Sequence, residues 1–347
     1  MLKNIALTLT LLSSFLISYA ASAQEKAAKD ENILHIYSSR HYDTDEALYD
    51  DFTAQTGINI KRVDGKGDAL IARLEQEGDL SPADLLITVD AGMLWRAEEA
   101  GLFQPINSEI LNETIPANLR HPEGQWFGFS TRARVIAYNT EKISEGEITS
   151  YQDLADPKYK GRVCVRSSSN IYNLSLLSSM IAQDGEQAAT KWAQGVLDNL
   201  ARKPQGGDTD QIKAVARDIC DIALVNSYYL FRMQRSDAAE DKEIVKNIGV
   251  VFPDQNGKGT HINISGAGVV KHAKNKEAAV KFLEYLTSKT AQAYFADGNN
   301  EYPVVDGVKV NETVEANKDF KAQNINVREF GVNQKRAKMI FDTIGFQ

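Results

Sequence analysis

Asp84-Leu85-Leu86-Ile87-Thr88-Val89 is a short, almost unbroken apolar run. It lacks the alternation of a strand with one wet face, so it suits a strand covered on both faces, as in a parallel sheet. Two β-α units precede it. Ile33 to Tyr37 reads as a strand, and Asp43 with Glu46 makes a capping-box-like start to a helix that carries Ala47, Leu48 and Phe52 on one face and stops at Gly57. Ile58 to Val63 reads as the next strand and Asp68 to Glu77 as its helix, closed by Gly78. After the apolar run, Met93 to Ala100 is helical and ends at Gly101. This alternation predicts an α/β layer whose ligands sit in the loops after the strands.

The pattern changes at Trp126 to Asn139, where Ala133-Arg134-Val135-Ile136-Ala137-Tyr138 alternates and no helix precedes the next strand. We read this stretch as a crossing between two lobes. The second lobe repeats the α/β pattern: Arg162 to Arg166 as a strand, Ile171 to Gln183 and Gln187 to Leu200 as helices, and Ile219 to Val225 as a strand. His261 to Val270, β-like and rich in glycine, carries the chain back, and Ala278 to Ala296 reads as one long amphipathic helix before a turn at Tyr302-Pro303-Val304. The expected division is therefore 33–130 with 260–295 in a first lobe, and 131–259 with 296–347 in a second.

Ahead of the fold, Lys3, the apolar stretch Ile5 to Ile17 and the small residues Ala21-Ser22-Ala23 form a Sec-type signal peptide over 1–23, followed by a polar, flexible leader over 24–32. No cysteine stands at the cleavage site to carry a lipid tether. Beyond Ala23 no apolar run approaches the roughly 18 residues needed to cross a bilayer, so the mature chain is expected to be soluble outside the cytoplasm, in the periplasm. A net charge of -8 argues against nucleic acid as a partner. The two cysteines, Cys164 and Cys220, read first as a disulfide in such a compartment. A two-thiolate metal site is the competing reading, without a CxxC spacing or nearby histidine to support it.

Four of the 13 tyrosines fall where the predicted strands run into helices. Tyr42 follows the first strand, Tyr172 follows the Ser167-Ser168-Ser169-Asn170 turn, and Tyr228-Tyr229 follow Asn226-Ser227. Cys164 and Cys220 each precede one of them by eight residues, so a bridge would hold both loops at one level. Clustered phenols suit a small, hard, highly charged cation, and Fe(III) fits best. Ionising a phenol of pKa about 10 at neutral pH costs roughly 4 kcal/mol, or on the order of 12 to 16 for three or four together. A trication bound directly in a partly desolvated cleft can outweigh that cost. Four phenolates around Fe(III) leave negative charge, which selects Arg132 and Arg232 as candidates to stand behind the ligands. For each, a surface ion pair is the competing reading. The Ser167 to Asn170 turn offers either an anion site or simply an N-cap.

With these residues in view, the chain resembles the periplasmic ferric-iron-binding proteins of iron ABC importers, which have the type II periplasmic-binding fold: two α/β lobes, a hinge and a ligand cleft between them. The likeness covers nearly all of the mature chain. It rests on Tyr37-Ser38-Ser39-Arg40-His41-Tyr42, Leu80-Ser81-Pro82-Ala83-Asp84, Gly101-Leu102-Phe103, Tyr151-Gln152-Asp153-Leu154 and, most specifically, Val225-Asn226-Ser227-Tyr228-Tyr229. One branch of that family sets a histidine and a glutamate beside the paired tyrosines; the other, FutA-type branch uses more tyrosines. His41 matches the histidine, but Val89 falls about where the glutamate would be, and Tyr42 and Tyr172 match the tyrosine-rich clamp. The resemblance thus implies metal ligands Tyr42, Tyr172, Tyr228 and Tyr229, with His41 as a fifth candidate.

The expected activity is capture of ferric iron and its delivery to the permease of an inner-membrane ABC importer by a monomeric carrier; whether ferrous iron also binds stays open. A carrier of an anion or polyamine on the same fold is the alternative. A secreted hydrolase is a third reading, for which the chain offers no G-x-S-x-G and no H-E-x-x-H. No catalytic residue is expected.

Overall fold

The computed structural model describes residues 32–40 and 42–346. The signal peptide, the leader up to residue 31 and His41 lie outside the described residues.

Three parallel strands form one end of a continuous sheet: β1 (Ile33–Ser38), β2 (Asn59–Asp64) and β3 (Leu85–Thr88). All four residues of β3 are buried, as its apolar run requires. The sheet continues through β4 (Phe127–Asn139), β5 (Val163–Cys164), β6 (Ile222–Asn226), β7 (Ile248–Val251), β8 (Ile262–Val269) and β9 (Tyr302–Pro303). Its order is β2-β1-β3-β8-β4-β6-β5, with β7 and β9 also paired to β4.

The strand β4 organises the molecule. Its residues from Phe127 to Ala133 pair antiparallel with β8, and those from Arg134 to Asn139 pair with β6 and β7. One buried strand thus serves two cores. Leu34, Phe52, Leu85, Phe127 and Phe282 belong to the first. Beyond the change of partner, successive side chains of β4 enter opposite layers: Ile136 and Tyr138 pack with Leu177, Trp192 and Val196, while Val135 and Ala137 pack with Ile212, Leu230 and Phe231.

Where β4 changes partner, the Tyr151 hydroxyl donates to the Arg134 carbonyl and accepts from the His261 amide at 3.1 Å. It ties β4 to the segment entering β8. Tyr151→Phe would leave both buried backbone groups unmatched, and is expected to lower stability by about 1–3 kcal/mol, read as a lower urea midpoint at unchanged m-value.

Several expected boundaries shift for physical reasons. The stretch read as one helix over Ala278 to Ala296 is two helices, Lys276–Tyr285 and Lys289–Asn299, because Ser288 caps the second by accepting from the Ala291 amide. Both halves keep an apolar face, so periodicity conceals the break. The helix Glu46–Thr56 follows a 3-10 turn at Asp43–Asp45, and Asp45 gives its carboxylate to Arg40 rather than to the helix end. Helices at Asp208–Ala216, Arg328–Val332 and Gln334–Thr343 were not anticipated. Arg328–Val332 lies against both Ala91–Glu99 and Ile171–Asp184. Only glycine fits at Gly331, where a Cβ would come within 2.1 Å of the Trp95 Cβ.

Candidate metal centre

Each of the four tyrosines stands at or beside the start of a helix. Tyr172 is the second residue of Ile171–Asp184, and Asn170 caps that helix by accepting from the Tyr172 amide at 3.0 Å. The Ser167 to Asn170 turn therefore supplies the N-cap. Tyr228 and Tyr229 lie in the first turn of Ser227–Arg235, directly after β6, with ring centroids 4.3 Å apart. Tyr42 precedes the Asp43–Asp45 turn, with the Arg40 guanidinium 5.0 Å from its ring centre.

The Tyr172 and Tyr228 hydroxyls, 56 residues apart in sequence, share a hydrogen bond of 3.2 Å. Cys164 and Cys220 form a disulfide with Cα atoms 5.9 Å apart. Since β5 and β6 are parallel neighbours, the bridge joins the end of β5, ahead of the Tyr172 turn, to the segment entering β6, whose far end leads to Tyr228. Tyr42 enters the same electrostatic neighbourhood: Tyr172 and Tyr228 each interact with both Tyr42 and Tyr229.

Burial dominates the acidity of this cluster. It raises Tyr42, Tyr172 and Tyr228 above the ordinary phenol value, and charge on neighbouring tyrosines raises them further. Arg132 opposes the rise at all three. Its side chain is 2% exposed. Nη1 donates to the Ser265 hydroxyl at 3.1 Å and lies 3.8 Å from Glu301, whereas Nε and Nη2 meet no acceptor among the described residues. Arg232, on the exposed side of its helix, lies 5.2 Å from the ring centre of Tyr229.

Other charged groups were missed by sequence reasoning. Arg134 and Arg166 lie 5.8 and 5.1 Å from the Tyr172 ring centre and share Asp208, at 2.9 and 3.5 Å. Arg40 pairs with Asp45 at 2.9 Å and Glu301 at 2.8 Å. Within this ion-paired set, Arg40, Arg132, Arg134 and Arg166 face Asp45, Glu301 and Asp208, a formal excess of one positive charge. The signal for Arg134 was present, since it stands two residues from Arg132 in a strand that is otherwise uncharged. Nothing local marked Glu301 or Asp208.

Beside the tyrosines opens a cleft of about 920 Å³, lined from the first core's side by Ser39, Lys66 and Arg96 and from the other by Arg166, Ser167 and Asn170. Among the described residues no group of three His, Cys, Asp or Glu side chains is placed to hold a metal ion. Two phenolic oxygens, those of Tyr172 and Tyr228, do converge beside the cleft.

Comparison with known proteins identifies the family. The family model for bacterial extracellular solute-binding proteins matches residues 81–326. Iron uptake protein A1 of Synechocystis is 49% identical over 318 residues, covering 92% of this chain and 88% of its own. Among solved structures, Trichodesmium FutA in complex with iron and citrate superposes with a TM-score of 0.88 at 54% identity, over 91% of this chain and 100% of that one. The ferric binding protein of Campylobacter jejuni gives 0.86 at 41% identity, over 90% and 100%. Matched along most of its length by such relatives, the chain belongs to the bacterial extracellular solute-binding protein family, in its ferric-iron-binding, FutA-type branch.

Proposed function

We propose that this protein is an extracytoplasmic carrier that captures Fe(III) through Tyr42, Tyr172, Tyr228 and Tyr229 and hands it to the permease of an ABC importer. The observation that carries the reading is the 3.2 Å approach of the Tyr172 and Tyr228 hydroxyls, whose ionised forms the buried charge of Arg132 favours. Two phenols so close in a buried site suit a shared cation. Fe(III) with four phenolates carries one formal negative charge, which the positive excess behind the site offsets. A polyamine would meet that excess as repulsion. The names of the relatives, iron uptake and ferric binding, point to the same cargo.

In this reading His41, next to Tyr42, is available as a further ligand, and Arg132 and Arg232 lower the cost of ionisation. The lobes, 33–130 with 260–295 and 131–259 with 296–347, close on the metal, and the closed shape is what the permease recognises. The carrier acts as a monomer in the periplasm, released there by its signal peptide, and binds without catalysing a reaction. Among the described residues no helix is long and apolar enough to cross a membrane.

Ferric iron added to the purified protein as a weak chelate is expected to bind one ion per chain and to produce a visible phenolate-to-iron band, absent with Mg²⁺ or Zn²⁺. Tyr42, Tyr172 and Tyr228 are raised and hence protonated in the metal-free protein at neutral pH, so each of them that binds iron releases a proton. Apparent affinity should fall about tenfold per released proton for each unit that pH drops. A colourless protein whose iron affinity ignores pH would refute the assignment.

A further inference from the structure

A buried carboxylate ties the helix that carries Tyr172 to the opposite core, beside the packing of Arg328–Val332 against both. Asp90, fully buried, precedes the helix Ala91–Glu99, whose Ala91, Leu94 and Ala97 belong to the first core. Ser175 lies on Ile171–Asp184, whose Leu174, Leu176 and Leu177 belong to the second core. The Ser175 hydroxyl donates to Asp90 Oδ1 at 2.8 Å, across 85 residues of sequence. The Gly92 amide donates to the same oxygen at 2.7 Å, and Asn263 Nδ2, from β8, donates to Oδ2 at 2.8 Å. Asn263 returns the contact by accepting from the Ala91 amide at 2.9 Å.

We propose that the Asp90–Ser175 hydrogen bond is an interlobe strap that positions Tyr172 for the metal clamp. Ser175 stands three residues after Tyr172, so it shares that residue's side of the helix. Fixing it to Asp90 sets the roll and height of Tyr172 against the lobe that supplies Tyr42. Gly92 leaves room for Gln334, the first residue of Gln334–Thr343, since a Cβ would come within 2.4 Å of Gln334 Nε2, and would meet Ile171 Cδ1 at an ordinary 3.4 Å. A parallel contact runs from Arg96 Nε to Gln334 Oε1 at 2.6 Å. Burial raises the Asp90 carboxyl to about 6, while Arg132, the Gly92 amide, the Ser175 hydroxyl and Arg96 pull it down. At neutral pH it is therefore an ionised acceptor, the kind that makes a strong bond to a hydroxyl.

The role of the strap rests on the ferric clamp proposed above, but its presence is testable without metal. Ser175→Ala removes only the cross-lobe donor. Ser178→Ala is the control: Ser178 lies on the same helix, equally buried, and its hydroxyl has no partner among the described residues. In metal-free protein, small-angle X-ray scattering is expected to show a larger radius of gyration for Ser175→Ala than for wild type or Ser178→Ala. Loaded with ferric iron, Ser175→Ala should keep the position of the visible band yet release iron to a competing chelator about tenfold faster, as loss of one hydrogen bond to a charged group implies. Equal scattering and equal release in all three proteins would overturn the strap. So would the same change in Ser178→Ala, which would mark a general weakening of the helix. A change in scattering alone, in a protein that ignores iron, would keep the strap as an interlobe contact and overturn its role in positioning a metal ligand.

Discussion

Tyr228→Phe is expected to weaken ferric binding by more than about 100-fold and to reduce the visible band. The phenylalanine keeps the ring that lies 4.3 Å from Tyr229, so the local packing survives while one oxygen donor is lost. Tyr172 loses its 3.2 Å partner at the same time. Removing a group that only supports a ligand typically costs about 10–100-fold, and a direct donor should exceed that range. Tyr285→Phe supplies the contrast: its hydroxyl donates to Asp51 at 2.6 Å and to the Leu48 carbonyl at 3.2 Å within the first core, so iron binding should persist. Competition titration against citrate would measure both. An affinity for Tyr228→Phe within threefold of wild type would remove that residue from the ligand set.

The second large effect concerns the disulfide. Cys164 and Cys220 close a loop of 56 residues, for which the chain-entropy model gives about 4 kcal/mol of stabilisation. The double variant Cys164→Ser/Cys220→Ser is expected to unfold at a Tm lower by on the order of 10 °C, and calorimetry under oxidising conditions would show it. Reductant should lower the wild type to the same point and leave the variant unmoved. An unchanged Tm would mean that the strand pairing of β5 and β6 holds the second core together by itself. Iron binding is expected to weaken far less than in Tyr228→Phe, because the bridge ends at the entry to β6, a strand's length from Tyr228, and removes no oxygen donor.

The α/β layering was readable because strands and helices repeat with different periods, and β3 lies where its apolar run predicts. Convergence of Tyr172 with Tyr228 was also readable, since both follow strands and stand eight residues beyond cysteines that bond to each other. The charges behind the site were not. Arg40 meets Glu301 across 261 positions and Arg134 meets Asp208 across 74, pairings fixed by the finished sheet and by no local pattern. Asp45 shows the same competition in miniature, because a buried guanidinium claims the carboxylate that stands directly before the helix. The break at Ser288 escaped notice because a hydroxyl cap leaves no trace in hydrophobic spacing.

A strand common to both cores also governs how the molecule comes apart. Cutting the chain near Ala133 would strip each piece of its neighbour along β4 and expose a row of unpaired amides and carbonyls, an invitation to aggregate. Neither half is a good candidate for independent expression. Loss of order that begins in one core should spread along the shared backbone to the other, so the amides of β4 ought to be among the last to exchange with heavy water.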